Sequence, residues 1–294
     1  MFQISWTFIC FLFPLFCLTT YISLDTGFTQ CHSDFNQLKR IGIYQLLNPQ
    51  IISKILLLII LVVCSIRITR ARAIVIISII IEFLNAYILF SSLYTLIIIS
   101  KIYMNDKKCS FNESKYNGIS GHYFTYIYYF QVLTHLVDSI SLELKNPFFM
   151  FFTTEVFQIQ RIKFFEFNFH PFQKSKSFQS VFGMLLFFGY ILFSWGTLFD
   201  TLIIGYHTPR QVIIGIVLGI LSTFLYQLFI LIPFKFQSLL NSLFLIIVTS
   251  CYYILTHEVL NGIECAVAIT SLVFTVVIEY YNNYQHINTT TMLI

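Results

Sequence analysis

Long apolar runs broken by short polar stretches dominate the chain. A helix crossing a membrane needs about 20 mostly apolar residues. On that measure the runs predict eight membrane helices, at roughly 3–24, 50–66, 74–99, 122–142, 180–200, 210–233, 239–256 and 263–281. The second is short and needs Lys54 to stretch its stem along the lipid. No basic residue precedes the first run, which is longer than a signal-peptide core, so a true span is favoured over a cleaved leader. The expected fold is all-α: a polytopic membrane helical bundle of about six to eight transmembrane helices.

Composition agrees with that pattern. Of 294 residues, 57% are hydrophobic and 10% charged, and the mean hydropathy is +0.79. A soluble domain carries about 25% charged residues, so lipid is the expected solvent here. The net charge of +4 is small and the basic residues are scattered. No Arg/Lys stripe with interleaved aromatics points to nucleic acid. The seven cysteines form no C-x-x-C pair and no zinc spacing, so neither metal nor cofactor is expected. Cys10, Cys17, Cys64, Cys251 and Cys265 fall in apolar runs, where they read as small hydrophobes. There is no internal repeat and no Ser/Gly linker, which leaves one integral-membrane domain over 1–294.

Orientation follows from Arg67, Arg70 and Arg72, clustered in the short turn before the third segment. Such a cluster is expected on the cytosolic side. It takes Lys145, Arg161, Lys163, Lys174, Lys176 and Lys235 with it. Lys39, Arg40, Lys54, Lys101, Lys107, Lys108, Lys115 and Arg210 then lie outside or at the outer boundary, where phosphate binding would explain them. The outer loops are 25–49, 100–121, 201–209 and 257–262. Cys31 and Cys109 would share an oxidising compartment and could pair there, and Asn112-Glu113-Ser114 is a glycosylation sequon. The loop 143–178 alternates phenylalanines with Arg161, Lys163 and Glu166, a pattern suited to resting in the bilayer interface.

Two short stretches carry candidate chemistry. Gly118-Ile119-Ser120-Gly121-His122 opens the fourth segment, and Gly205-Tyr206-His207-Thr208-Pro209-Arg210-Gln211 opens the sixth. The topology puts both histidines on the same side at similar depth. Hydrolysis of a phosphate ester without a metal needs a nucleophile for phosphorus and an acid for the leaving oxygen. A neutral imidazole can be the first and an imidazolium the second. Helix N-termini favour phosphate oxygens, Gly121 permits close backbone approach, and Pro209 suits a helix start. His135 and Asp138, one turn apart in the fourth segment, can pair on one helix face.

The two stretches resemble motifs of the phosphatidic acid phosphatase type 2 (lipid phosphate phosphatase) superfamily, roughly P-S-G-H and S-R-x5-H-x3-D. Gly215 and Gly219, eight and twelve residues after His207, fit as well, and the resemblance covers about 74–233. Departures are specific. Lys108 and Cys109 stand where a first motif K-x6-R-P starting at Lys101 would have Arg-Pro. Ile119 replaces proline, Thr201 the motif arginine, and Gln211 the final aspartate. The fat-storage-inducing transmembrane family is more similar. Its D-I-S-G-H motif resembles Gly118 to His122, and its tryptophan upstream of the second histidine resembles Trp195.

The resemblance implies His207 as nucleophile and His122 as acid. It implies an endoplasmic-reticulum enzyme cleaving fatty acyl-CoA at its diphosphate on the lumenal side, in support of lipid-droplet formation. Ser120 and Gly121 would donate to a phosphoryl oxygen, and Arg210 would neutralise phosphate charge or simply be an interfacial arginine. Lys101, Lys107 and Lys108 could draw in an anionic head group, and Asp200 could orient His207. The expected partners are a lipid substrate and the membrane. The H-x-P-x-Q-V run from His207 to Val212 also resembles polyprenyl-diphosphate phosphatases and glucose-6-phosphatase. The missing arginines leave open a non-enzymatic lipid-binding protein on a phosphatase scaffold.

Overall fold

A computed structural model describes residues 70–104, 106, 117–143, 188–196, 198, 207–232 and 234–258, with scattered positions at 12–21, 55 and 266–276. Side chains are described from 80 in the first of these helices, to 136 in the second and from 236 in the last. Among these residues the protein is all-helical. Four helices carry the architecture: α1 (Arg70–Met104), α2 (Gly121–Glu143), α3 (Pro209–Ile230) and α4 (Phe234–Thr256). A further helical stretch covers 188–196. Most of the expected segments at 3–24, 50–66 and 263–281 lie outside the described residues, as do the loop 143–178, Cys31, Cys109 and the sequon.

Three helical spans are long and apolar enough to cross a membrane: Ile80–Met104, Pro209–Ile230 and Phe236–Thr256. They match the expected third, sixth and seventh segments, with one correction of substance. The third was expected to end near 99, but α1 continues to Met104 and takes Lys101 into its last turn. A cation there opposes the negative end of the helix dipole.

α2 differs from the other three in composition and in setting. Tyr123, Tyr126, Tyr128, Tyr129, Thr125 and Gln131 make it more polar than a lipid-facing helix. It can be so because it is interior. From Gly121 to Leu136 every residue is buried except His122 and Gln131, which are half-buried. The helix packs mainly on α3 and also on α1, while α4 packs mainly on α1. Buried hydroxyls need partners where water is absent. Tyr128 donates to Ala86 O of α1 at 2.7 Å, and Tyr123 to Leu198 O at 3.0 Å. Thr125 and Thr134 donate back to the carbonyls of Gly121 and Phe130. Phe90 of α1 stacks against Tyr94 and Phe124 and tilts against Tyr128 and Tyr129, which makes the α1–α2 seam largely aromatic.

A tight turn joins α3 to α4. Leu231 N donates to Leu228 O, and Ile232 N to Phe229 O, closing the turn. Gln237 then reaches back from α4 and donates to Ile230 O and Ile232 O, covering carbonyls that a helix end leaves open.

A polar layer ties the far half of the bundle together. Ser238 Oγ donates to Asn85 Oδ1 and Asn241 Nδ2 to Asn85 O, joining α4 to α1. Glu82 of α1 meets His135 Nε2 of α2 at 2.6 Å, and the His135 ring stands edge-on to Tyr226 of α3. His135 was expected to pair with Asp138 on its own helix. Its described partner is Glu82 of α1; the Asp138 side chain, and so the pairing with it, lies outside the described residues. Removing one partner leaves the other buried polar group unsatisfied, whereas replacing both with apolar groups does not. Glu82→Ala is therefore expected to destabilise the protein by about 1–3 kcal/mol, and Glu82→Leu combined with His135→Phe to recover most of that. Thermal unfolding in detergent would check both; equal losses in the two variants would contradict the pairing.

Candidate functional site

The ends of three helices meet at the other end of the bundle. Beyond α1, Asn117 N donates to Asp106 O at 2.7 Å, which holds these two residues together. Gly118 allows this: a Cβ there would lie 3.3 Å from the Cβ atoms of both Asp106 and Met104. Ile119 is buried in the core, in the position where the resembled motif has proline. Ser120 then starts α2. Its carbonyl accepts from Phe124 N, and its own N–H donates to Gln211 O of α3 at 3.0 Å.

That cross-helix bond requires α2 and α3 to touch. A Cβ on Gly215 would stand 2.5 Å from Ser120 O, and one on Gly219 would stand 3.0 Å from Ile127 Cβ. The two glycines, a turn apart, let one helix start lie directly on the other. Gly121 is packed closely as well. The space beside it is filled by Tyr94 of α1, whose hydroxyl would be 3.0 Å from an added Cβ. Its missing side chain accommodates α1.

α3 begins with a capping box. Gln211 N donates to Thr208 Oγ1, the Gln211 side-chain oxygen accepts from Thr208 N at 3.1 Å, and Pro209 occupies the first turn. His207 immediately precedes the cap. Its Nδ1 is 3.3 Å from the same Gln211 Oε1, and Gln211 Nε2 donates to Asp106 Oδ2 at 3.2 Å.

The result brings His122 and His207 together, with ring centroids 5.9 Å apart and planes inclined by 62°. Two residues far apart in sequence meet at one end of the bundle. His207 is 3% exposed, so its ring is almost sealed from water. Burial holds its imidazole well below the ordinary histidine range; the charges of His122 and Lys101 push the same way, and the Gln211 hydrogen bond opposes them. Lys101, half-buried in the last turn of α1, thus acts on the site itself. The loop position expected for it is replaced by a helical one.

The other expected site residues divide. Ser120 is fully buried beside the pair, and its hydroxyl has no hydrogen-bond partner among the described residues. Arg210 is exposed in the first turn of α3 and makes no hydrogen bond or ion pair among them. Lys107, Lys108, Asp200 and Thr201 lie outside the described residues. Trp195 is half-buried against the hydrophobic core. No three His, Cys, Asp or Glu side chains converge as metal ligands would among the described residues. Asp106 and Gln211 were not anticipated. The T-x-x-Q capping-box spacing was a legible signal for Gln211; nothing local marks Asp106. Compared with protein-family models, curated proteins and solved structures, the chain matches none.

Two outcomes follow from this geometry. Gly215→Ala forces Ser120 and Gln211 apart and is expected to cost about 1–3 kcal/mol, readable as a lowered unfolding temperature. Separately, His207 holds a proton less tightly when folded than when unfolded, so acid opposes the fold. The stability from its neutral form is complete above the ordinary value of 6.5 and declines as pH falls below it. The unfolding temperature of the native protein should therefore drop more steeply below about pH 6.5 than that of His207→Asn.

Proposed function

We propose that this chain is a membrane-embedded hydrolase of lipid-linked phosphates or diphosphates that works through a phosphohistidine. One observation carries the reading: His122, in the first turn of α2, and His207, just before the cap of α3, come together with ring centroids 5.9 Å apart. His207 Nε2 attacks phosphorus while the bond to the leaving oxygen breaks. The arriving phosphate brings negative charge that favours a protonated His122, which then gives its proton to that oxygen. Water afterwards attacks phosphorus and releases His207.

The surroundings suit an anionic substrate. Lys101 supplies positive charge in the absence of the motif arginines, and the buried Ser120 hydroxyl is available to a phosphoryl oxygen. Ile213, Val217, Leu221, Leu225 and Leu228 are exposed at helical spacing along the outer face of α3, so that face suits contact with lipid acyl chains.

Within this reading the resemblance favours fatty acyl-CoA as substrate. It also favours a bundle of six to eight spans in the endoplasmic-reticulum membrane with the site facing the lumen, and a role in lipid-droplet formation. Polyprenyl diphosphate and glucose-6-phosphate are the competing substrates. Purified protein in detergent, given oleoyl-CoA, phosphatidic acid, a polyprenyl diphosphate and glucose-6-phosphate in turn, is expected to hydrolyse one of them. His207→Ala and His122→Ala should each lose that turnover by at least about 100-fold. Full activity in a folded His207→Ala would sink the mechanism, and lipid binding without any turnover would favour a binding protein.

A further inference from the structure

The Gln211 side chain has a single orientation that suits its neighbours. Thr208 N–H, 3.1 Å from one end of the amide, can only donate. The Asp106 carboxylate, 3.2 Å from the other end, accepts. Turning the amide over would set oxygen against carboxylate and NH2 against N–H. Oε1 must therefore face Thr208, and it is this oxygen that lies 3.3 Å from His207 Nδ1. An oxygen there calls for a proton on Nδ1, which leaves the lone pair on Nε2.

From this chain we infer that Asp106 is a positioning residue for His207: acting through the Gln211 amide, its carboxylate holds the imidazole in the tautomer whose Nε2 is the nucleophile. The inference rests on the phosphatase reading for its catalytic meaning, though not for its geometry. The contact of Asp106 with Asn117 goes through its backbone carbonyl, and its contact with Gln211 through its carboxylate.

The chemistry balances. As Nε2 bonds to phosphorus, the P–O bond to the leaving group breaks and its electron pair goes to that oxygen, which takes a proton. His207 is then an N-phosphorylated imidazolium that keeps its Nδ1 proton. Its positive charge faces Gln211 Oε1, an amide polarised by the negative charge of Asp106. When water attacks phosphorus, the N–P bond breaks, its pair returns to Nε2, and the tautomer is already correct for another cycle.

The test is an exchange of groups in the full-length protein. Asp106→Asn removes the charge and lets the amide turn. Gln211→Asp puts a carboxylate beside His207 but sets it against Asp106. The double variant, Asp106→Asn with Gln211→Asp, reverses the order of carboxylate and amide. Two readouts are taken: the rate at which diethyl pyrocarbonate acylates His207, followed by peptide mass spectrometry with the exposed His257 as internal reference, and kcat and KM on whichever substrate is hydrolysed. Asp106→Asn is expected to slow acylation of His207 and lower kcat by about tenfold or more while leaving KM within about twofold. Gln211→Asp should do worse, and the double variant should regain most of both. A merely structural Asp106 would leave the acylation rate alone and gain nothing from the exchange. Wild-type acylation in Asp106→Asn, or a double variant no better than Gln211→Asp, overturns the proposal. Slowed acylation that the double variant reverses, in a protein that hydrolyses none of the substrates, upholds the positioning role and removes the phosphatase reading.

Discussion

The contact between the start of α2 and the first turns of α3 governs the rest of the site. Ser120 N–H donates to Gln211 O only because Gly215 leaves room for the Ser120 carbonyl. That bond fixes Ser120 against Gln211, and each of those residues is close in sequence to one of the histidines. The spacing of the imidazoles is thus set by backbone packing, which deforms little. Side-chain flexibility has small influence on it. α1 contributes at its own end, where Tyr94 fills the space beside Gly121 and the Lys101 charge disfavours protonation of His207.

The bundle handles polarity at its two ends in different ways. At one end polar groups bind each other: Asn85 with Ser238 and Asn241, and Glu82 with His135. These links tie α1 to α4 and to α2 and hold the packing in one arrangement. At the other end the polar groups converge around two imidazoles and leave a buried serine hydroxyl unspent among the described residues. The first layer has the character of a lock, and the second that of a site. His122 and His135 are thirteen residues apart on α2, or about 20 Å along its axis. Their separation keeps the structural polar layer from competing for whatever enters the second.

Much of this was legible in the sequence because lipid makes simple demands. Apolar length alone located α1, α3 and α4, and helix parity put His122 and His207 on one side. What local pattern could not supply was the choice of partner across helices. His135 had a plausible partner one turn away, yet the described one is Glu82, more than fifty residues upstream. Lys101 read as a loop residue because polar residues follow it; α1 carries on past the apolar run since its C-terminal turn is packed against the Gly118 loop. Asp106 sits in an unremarkable polar stretch and gains meaning only from a hydrogen bond to a residue 105 positions later. Gln211 looked like a loss, an amide where a carboxylate was expected.

Gln211 also holds two offices with one amide. It closes the capping box that begins α3, and it faces the imidazole of His207. If the proposed chemistry holds, a lineage that abandoned it would still need the cap to start the helix, so glutamine would persist there through selection on folding alone. In any set of related chains, retention of Gln211 would thus be a poor witness to activity.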